Sequence, residues 1–353
     1  MNKALTGLAR RLAQAPGFLV FVAAALTLSI RPAAADEVIM RDGSRLLGDV
    51  VSRDNGTLDF RTSYAGVIRI QWAEIAEITT AKPMELLLSD DRVVTGTHLT
   101  NGIDTLVVED ASGAPPQTVD QDAVTLINPE PWRKGEGYKL SGRVNAALQK
   151  ESGNTDKEEL DVDGDLTWRR KNDRFLAFGE LERDNSEGRK IKDKWKLEGA
   201  YNYFVTKKWF WGGSVRLEHE QFADLDLRTT AGPLLGYQWF ESRQMNLSTS
   251  TGLSFVDENF IEESDNDYVA LPWVISFDRL MFDEFMQFYH KQTGFWNLNE
   301  PANVSWDSWT GFRFPMVLGL VATTEVKVEY DGGAARGADS LDTTYSLKLG
   351  YQW

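Results

Sequence analysis

Two-residue alternation runs through the last two-thirds of the chain. In the closing stretch, Leu341, Thr343, Tyr345, Leu347, Leu349, Tyr351 and Trp353 share one face of an extended strand. Asp342, Thr344, Ser346, Lys348 and Gln352 take the other, because side chains alternate across a strand. From Tyr138 onward eleven more segments read this way: Tyr138 to Leu148, Leu160 to Arg169, Phe175 to Glu182, Lys194 to Val205, Trp209 to Glu220, Leu227 to Trp239, Met245 to Phe255, Tyr268 to Phe277, Phe282 to Lys291, Val304 to Phe314 and Leu318 to Tyr330. Alternation is weakest in the eighth and ninth. The connections after the second, fourth, sixth and eighth segments are short, as at Arg170 to Asp173. Those at Glu151 to Lys157, Asp184 to Asp193, Asp257 to Asp267 and Gln292 to Asn303 are longer and polar.

This pattern predicts an all-β fold: a transmembrane antiparallel β-barrel of about 12 strands over 138–353, with the apolar face to lipid, the polar face to the lumen, and Tyr and Trp at the interfaces. A soluble sandwich shows the same alternation, but its strands have a mode of about 5–6 residues, against about 11–13 here. The polar face assigns Arg143, Asp161, Asp163, Asp165, Glu180, Lys194, Lys196, Glu198, Arg216, Glu218, Arg228, Glu325 and Lys327 to the lumen, with opposite charges expected to pair between adjoining strands. Glu182 and Glu329 share that face. An even strand number returns both barrel ends to the short-turn, periplasmic side.

Residues 36–128 read as a small β domain of two similar halves, about 36–80 and 81–128, of SH3-like or Sm-like character. Asp42-Gly43 and Asp90-Asp91 open equivalent turns, and Gly48 and Gly96, Leu58 and Leu106 recur at an offset of 48. Two copies indicate a duplication rather than a solenoid. This domain is expected in the periplasm. Residues 129–137, with two prolines and two glycines, read as an irregular linker, its Trp132 an anchor at the membrane surface.

Residues 1–35 read as an export signal: Lys3, Arg10 and Arg11 precede an apolar run from Phe18 to Ile30, then Ala33-Ala34-Ala35. Removing it takes away four bases, leaving 34 against 53 acids and a formal charge of −19. That balance argues against nucleic acid. With no cysteine, there is no disulfide framework and no thiolate chemistry.

Ser152-Gly153-Asn154-Thr155-Asp156 after an alternating strand, Trp168-Arg169 before a tight turn, and the closing Tyr345 to Trp353 resemble the outer-membrane β-barrels described as salt-induced outer-membrane proteins. The resemblance covers about 136–353 and implies the fold and its assembly, with no activity or site residues to carry over. Tyr345, Leu347, Leu349, Tyr351 and Trp353 resemble the C-terminal signal read by the barrel-assembly machinery of the bacterial outer membrane.

Chemistry is sparse. His219 lies near Asp224 and Asp226 but on an outward face, and His98 and His290 stand apart from any Ser or Asp set that a nucleophile and base would need. Asp161, Asp163 and Asp165 lack the Gly and distal Glu of a calcium loop. Glu258, Glu262, Glu263, Asp265 and Asp267 read as a solvated loop facing lipopolysaccharide. No catalytic, cofactor or metal residues are assigned. The resulting expectation is a non-enzymatic barrel of the cell outer membrane serving envelope integrity or stress response, with at most a narrow solute channel. One alternative is a scaffold whose periplasmic domain docks an envelope partner; the other is a rim hydrolase.

Overall fold

In a computed structural model of the chain, residues 35–54, 56–151, 156–282, 284–332 and 340–353 are described. The expected export signal and Ser152 to Thr155 therefore lie outside the described residues, apart from Ala35. The chain divides into two units, one up to Asn128 and one from Pro129.

Nine strands make the first unit: β1 (Asp36–Met40), β2 (Arg45–Asp54), β3 (Thr57–Thr62), β4 (Gly66–Gln71), β5 (Ile75–Leu88), β6 (Val93–Asn101), β7 (Thr105–Glu109), β8 (Gln117–Asp120) and β9 (Val124–Ile127). They form one sheet in the order β4-β3-β2-β1-β5-β6-β7-β8, with β9 on β2 and β5. Two of its turns are built alike. Asp42 Oδ1 accepts the Ser44 N–H at 2.8 Å, and Asp90 Oδ1 accepts the Arg92 N–H at 3.1 Å. One-turn 3-10 helices at Trp72–Glu74 and Gln121–Ala123 lead into β5 and β9. Gly48 and Gly96 occupy matching close crossings, where a Cβ would lie 2.1 Å from the Arg61 carbonyl oxygen and 2.4 Å from Val108 Cγ1.

The halves are not separate barrels. The division near residue 80 falls inside β5, whose first part pairs with β1 and β6 and whose last part pairs with β6 and β9. A shared core explains this: Val38, Leu58, Phe60, Ile78, Leu86, Leu99, Leu106 and Ile127 are fully buried in one cluster. Asn101 stitches the halves, its Nδ2 donating to the carbonyls of Trp72 (3.2 Å) and Ile75 (2.9 Å). His98 makes a surface contact, with Nδ1 2.9 Å from the Thr79 hydroxyl.

The second unit begins with a single helical turn, α1 (Pro131–Lys134), inside the expected irregular linker. Pro131 at the first helical position and Gly135 in the left-handed region at φ 92° supply a start and a stop. The remaining strands are β10 (Lys139–Glu151), β11 (Lys157–Arg169), β12 (Asp173–Ser186), β13 (Arg189–Phe204), β14 (Trp209–Glu220), β15 (Leu225–Glu241), β16 (Met245–Gly252), β17 (Ser254–Phe260), β18 (Asn266–Met281), β19 (Met286–Asn297), β20 (Val304–Pro315), β21 (Leu320–Asp331) and β22 (Leu341–Gln352). Each pairs antiparallel with its neighbours, and β22 returns to β10. Both β16 and β17 lie between β15 and β18, so they are one stave broken at Leu253. The break faces Gly232 and Pro233, where proline has no N–H for the ladder. The barrel therefore closes with twelve staves among the described residues.

Two expected connections differ. Asp184 to Asp193 is not a loop, because β12 and β13 meet at Glu187-Gly188, whose φ values of 52° and 72° make a tight two-residue turn. Gln292 to Asn303 is strand in its first half, since β19 starts at Met286 and runs to Asn297. Polar residues such as Gln292 and Thr293 sit inside these ladders, so polarity alone misplaced the ends.

The outer face of the wall is apolar and flanked by aromatic rows. At the short-turn end Tyr138, Trp168, Phe175 and Tyr201 touch in series, with ring centroids 5.6, 5.7 and 4.7 Å apart. Towards the other end lie Trp195, and Trp306 against Tyr330 at 6.0 Å. Among the described residues no helix is long and apolar enough to cross a membrane.

Candidate functional site: the barrel lumen

Alternation sends the charged face of every stave inward, where the side chains find partners across the lumen as well as along the wall. Lys196 on β13 is 1 % exposed. Its Nζ lies 2.9 Å from Asp307 Oδ2 on β20, 2.8 Å from Glu329 Oε1 on β21, and 3.4 Å from Glu218 Oε1 on β14. Staves β13 and β20 stand opposite each other in the ring. Arg216 on β14 reaches the same Asp307 oxygen at 2.6 Å and holds Glu218 at 3.1 Å. Lys194 bonds Glu329 at 2.6 Å, and Lys291 on β19 bonds Glu198 on β13 at 2.8 Å. Lys327 on β21 contacts Glu180 at 2.9 Å and also Glu182, both on β12. Trp309 Nε1 donates to Glu180 at 3.3 Å.

The expectation that charges pair between adjoining strands is thus only part of the arrangement. The long stems of Lys and Arg reach partners four to six staves away, and a buried charge without a partner is strongly unfavourable. Pairs along the wall also occur: Arg143 with Asp165 on β11, and Arg228 with Glu258 at 2.6 Å. Asp161, Asp163 and Glu325 converge on Lys348, at 2.7, 2.8 and 3.0 Å. All thirteen charges assigned to the lumen from the sequence belong to these contacts.

Sequence reasoning left out Lys348, Asp307, Lys291, Arg313 and Tyr289 as lumen residues. Lys348 was legible on the polar face of the last strand. Asp307 lies in Trp306-Asp307-Ser308-Trp309, where aromatics on both faces hide the alternation. Tyr289 donates to Glu325 at 2.7 Å, and the Arg313 guanidinium stacks 3.6 Å above its ring.

At the short-turn end the lumen is capped by the segment preceding β10. Trp132, read from sequence as a membrane-surface anchor, is instead 5 % exposed. The Arg169 guanidinium lies 4.9 Å from the Trp132 ring and 4.1 Å from that of Phe204. Arg169 also forms a bidentate pair with Glu241, at 2.8 and 3.0 Å, while Arg133 donates to the Glu241 carbonyl at 3.1 Å. A cationic stack needs the tryptophan inside, which the linker composition did not signal. Glu130 accepts from Trp132 Nε1 and Lys139 Nζ, both at 2.8 Å. Burial raises its carboxyl, but these donors outweigh it and hold the group below the usual carboxylate value.

Asp161, Glu180 and Glu182 each offer an oxygen within 4.8 Å of the others. Lys348, Lys327 and Lys192 already contact them, so by its contacts the group is an ion-pair cluster. Glu258 belongs to the wall, and Asp224 holds the loop beyond it by accepting the N–H groups of Glu262 and Glu263 at 2.9 and 3.0 Å. His219 Nδ1 meets the Asp226 carbonyl at 2.6 Å, and His290 Nδ1 meets the Thr310 hydroxyl at 2.7 Å. His219 Nδ1 also lies 4.0 Å from Asp226 Oδ1, beyond the hydrogen-bond reach by which a carboxylate orients a base.

Among curated proteins none matches the chain. Solved structures with some similarity include the NanC porin, at 12% identity and TM-score 0.37, covering 60% of this chain and 98% of that one. A bacterial polysaccharide outer membrane secretin is similar at 9% identity and TM-score 0.31, covering 62% and 98%. The outer membrane channel DcaP of Acinetobacter baumannii follows at 12% identity and TM-score 0.30, covering 90% and 94%. At these scores the fold assignment rests on the strand ladders themselves. Residues 144–353 match the family described as protein of unknown function, DUF481, and the chain belongs to that family.

Proposed function

We propose that this chain is a non-enzymatic outer-membrane β-barrel whose lumen is closed by its own ion pairs, and that it serves envelope integrity rather than bulk diffusion. The carrying observation is the bridge from Lys196 to Asp307 between opposite staves, inside a wall whose outer face is apolar. Side chains fill small barrels, whereas barrels of 16–18 strands leave an aqueous channel. Residual conduction is then limited to a narrow path between the pairs. A role under osmotic or salt stress belongs to the same reading and is supported by the sequence resemblance alone.

An outward apolar belt between two aromatic rows fits lipid between two interfaces. With an even stave number, the first unit is attached at the short-turn end, which in outer-membrane barrels faces the periplasm. Docking of an envelope partner there is the second reading, favoured by the separate core of that unit. Lipid and lipopolysaccharide contact the belt, and the closing Tyr345, Leu347, Leu349, Tyr351 and Trp353 serve as the signal to the assembly machinery.

Fractionation with heat-modifiability tests the membrane reading. The chain should sediment with outer membranes, need detergent for release, and migrate faster unboiled than boiled on a denaturing gel. Recovery as a soluble protein without detergent would refute it.

A further inference from the structure

The seam where the barrel closes is paired over only part of its length. Its ladder runs from Arg143 opposite Gln352 to Ala146 opposite Leu349. Gly142 and Trp353 extend it, each N–H donating to the other's carbonyl at 3.2 and 3.1 Å. Elsewhere β10 pairs with β11 from Lys139 to Glu151, and β22 pairs with β21 from Leu341 to Tyr351. Continuing the seam register would set Ala147 against Lys348, Leu148 against Leu347 and Glu151 against Thr344, but no ladder joins them. Outward side chains there are unusually bare: Leu148 is 78 %, Tyr345 78 % and Leu347 73 % exposed, against 53 % for Leu197 and 49 % for Val215 elsewhere on the wall.

Backbone N–H and C=O groups that face hydrocarbon must be satisfied, and acyl chains cannot do so. The open stretch therefore has to be served from its polar side. Behind it Lys348 reaches past β10 to Asp161 and Asp163 on β11, at 2.7 and 2.8 Å. Asn145 Oδ1 and Asp161 Oδ1 are buried oxygens without a hydrogen-bond donor. Both are acceptors, so a head group rich in donors complements them.

We propose that the half of the seam away from Trp353 is a lateral port between lumen and lipid. Resting on the membrane reading above, the port takes an amphiphile whose chains stay in the bilayer while an ammonium- or hydroxyl-bearing head group enters beside Asn145 and Asp161. Lys348 acts as a strap that limits its width.

Amide hydrogen exchange in detergent micelles tests the opening without requiring a bilayer, so its failure counts against the port and not against membrane placement. Amides of 147–151 and 344–348 should include a subset exchanging on the order of 100-fold faster than those of 143–146 and 349–352. Equal protection would overturn the port. In nanodiscs, phosphatidylethanolamine carrying a photoreactive head group should label lumen-facing positions near Asn145. Oxidation of the Leu148→Cys/Leu347→Cys variant should abolish that labelling, and the native chain has no cysteine to interfere. Fast exchange with labels confined to the outer face would overturn the amphiphile.

Discussion

Lys196 Nζ lies 2.9 Å from Asp307 Oδ2, and the two residues stand on opposite staves of the barrel. A pair across the full lumen does two things at once. It places charged side chains across the lumen, and it ties walls that backbone ladders cannot connect directly.

Breaking one side of that pair should be worse than removing both. Lys196→Met leaves Asp307 with Arg216 and Glu329 with Lys194 and Lys327, and should cost about 1–3 kcal/mol, the range for removing one hydrogen-bonding partner from buried charged groups. Adding Asp307→Asn should recover part of the loss. Urea unfolding of the detergent-solubilised barrel, followed by tryptophan fluorescence, measures both, and equal costs for single and double variants would contradict the bridge.

The cap at the short-turn end predicts unequal reactivity. Trp132 is 5 % exposed, whereas the Glu136 side chain is 68 % exposed. With no native cysteine, single variants Trp132→Cys and Glu136→Cys can be labelled with a hydrophilic maleimide. Position 132 should react at least about tenfold more slowly, as expected for a group protected within folded structure. Equal rates would place the segment outside the mouth.

Much of this was legible in the sequence because barrel alternation is a property of each strand alone. Trp209 to Glu220 and Leu341 to Trp353 read nearly to their ends. What escaped was long-range. Which acid meets Lys196 depends on which staves face each other, and no local pattern carries that. Trp132 was misplaced for the same reason, since its partner Arg169 lies on another strand. The weak ninth segment hid Tyr289 and Lys291, because aromatic Tyr289 takes the lumen face and polar His290 takes the outer face that should have been apolar.

In the first unit, Asn101→Ala should remove two hydrogen bonds to buried carbonyls and cost about 1–3 kcal/mol. Thermal melts of residues 36–128 expressed alone would show it. A cooperative melt is expected for the native sequence, and a disordered spectrum would mean that the core in this unit is insufficient.

The repeated turns add a sign for pH. Asp42, through the Ser44 backbone N–H, and Asp90, through the Arg92 side chain, are both held below the ordinary carboxylate value. Their contribution is present above the unfolded value of about 3.9 and is lost as pH falls through the lower folded values. The melting temperature of this unit should drop below that pH, less steeply in the Asp42→Asn/Asp90→Asn variant. An unchanged slope would contradict the assignment.

At the seam the Trp353 ring lies over Gly142. A Cβ at Gly142 would stand 2.5 Å from Trp353 Cζ2, so Gly142→Val should lift that ring and cost about 1–3 kcal/mol by overpacking. The unboiled, fast-migrating gel species should disappear at lower temperature. An unshifted transition would show that Trp353 does not help fasten the seam.

The most direct test is planar-bilayer conductance of the purified chain beside a variant lacking four lumen acids, Glu180, Glu198, Glu218 and Glu325. A closed lumen predicts low wild-type conductance. In the variant, conductance should rise and become anion-selective, because Lys196, Arg216, Lys327 and Lys348 lose partners. A large wild-type conductance that the four substitutions leave unchanged would contradict the account.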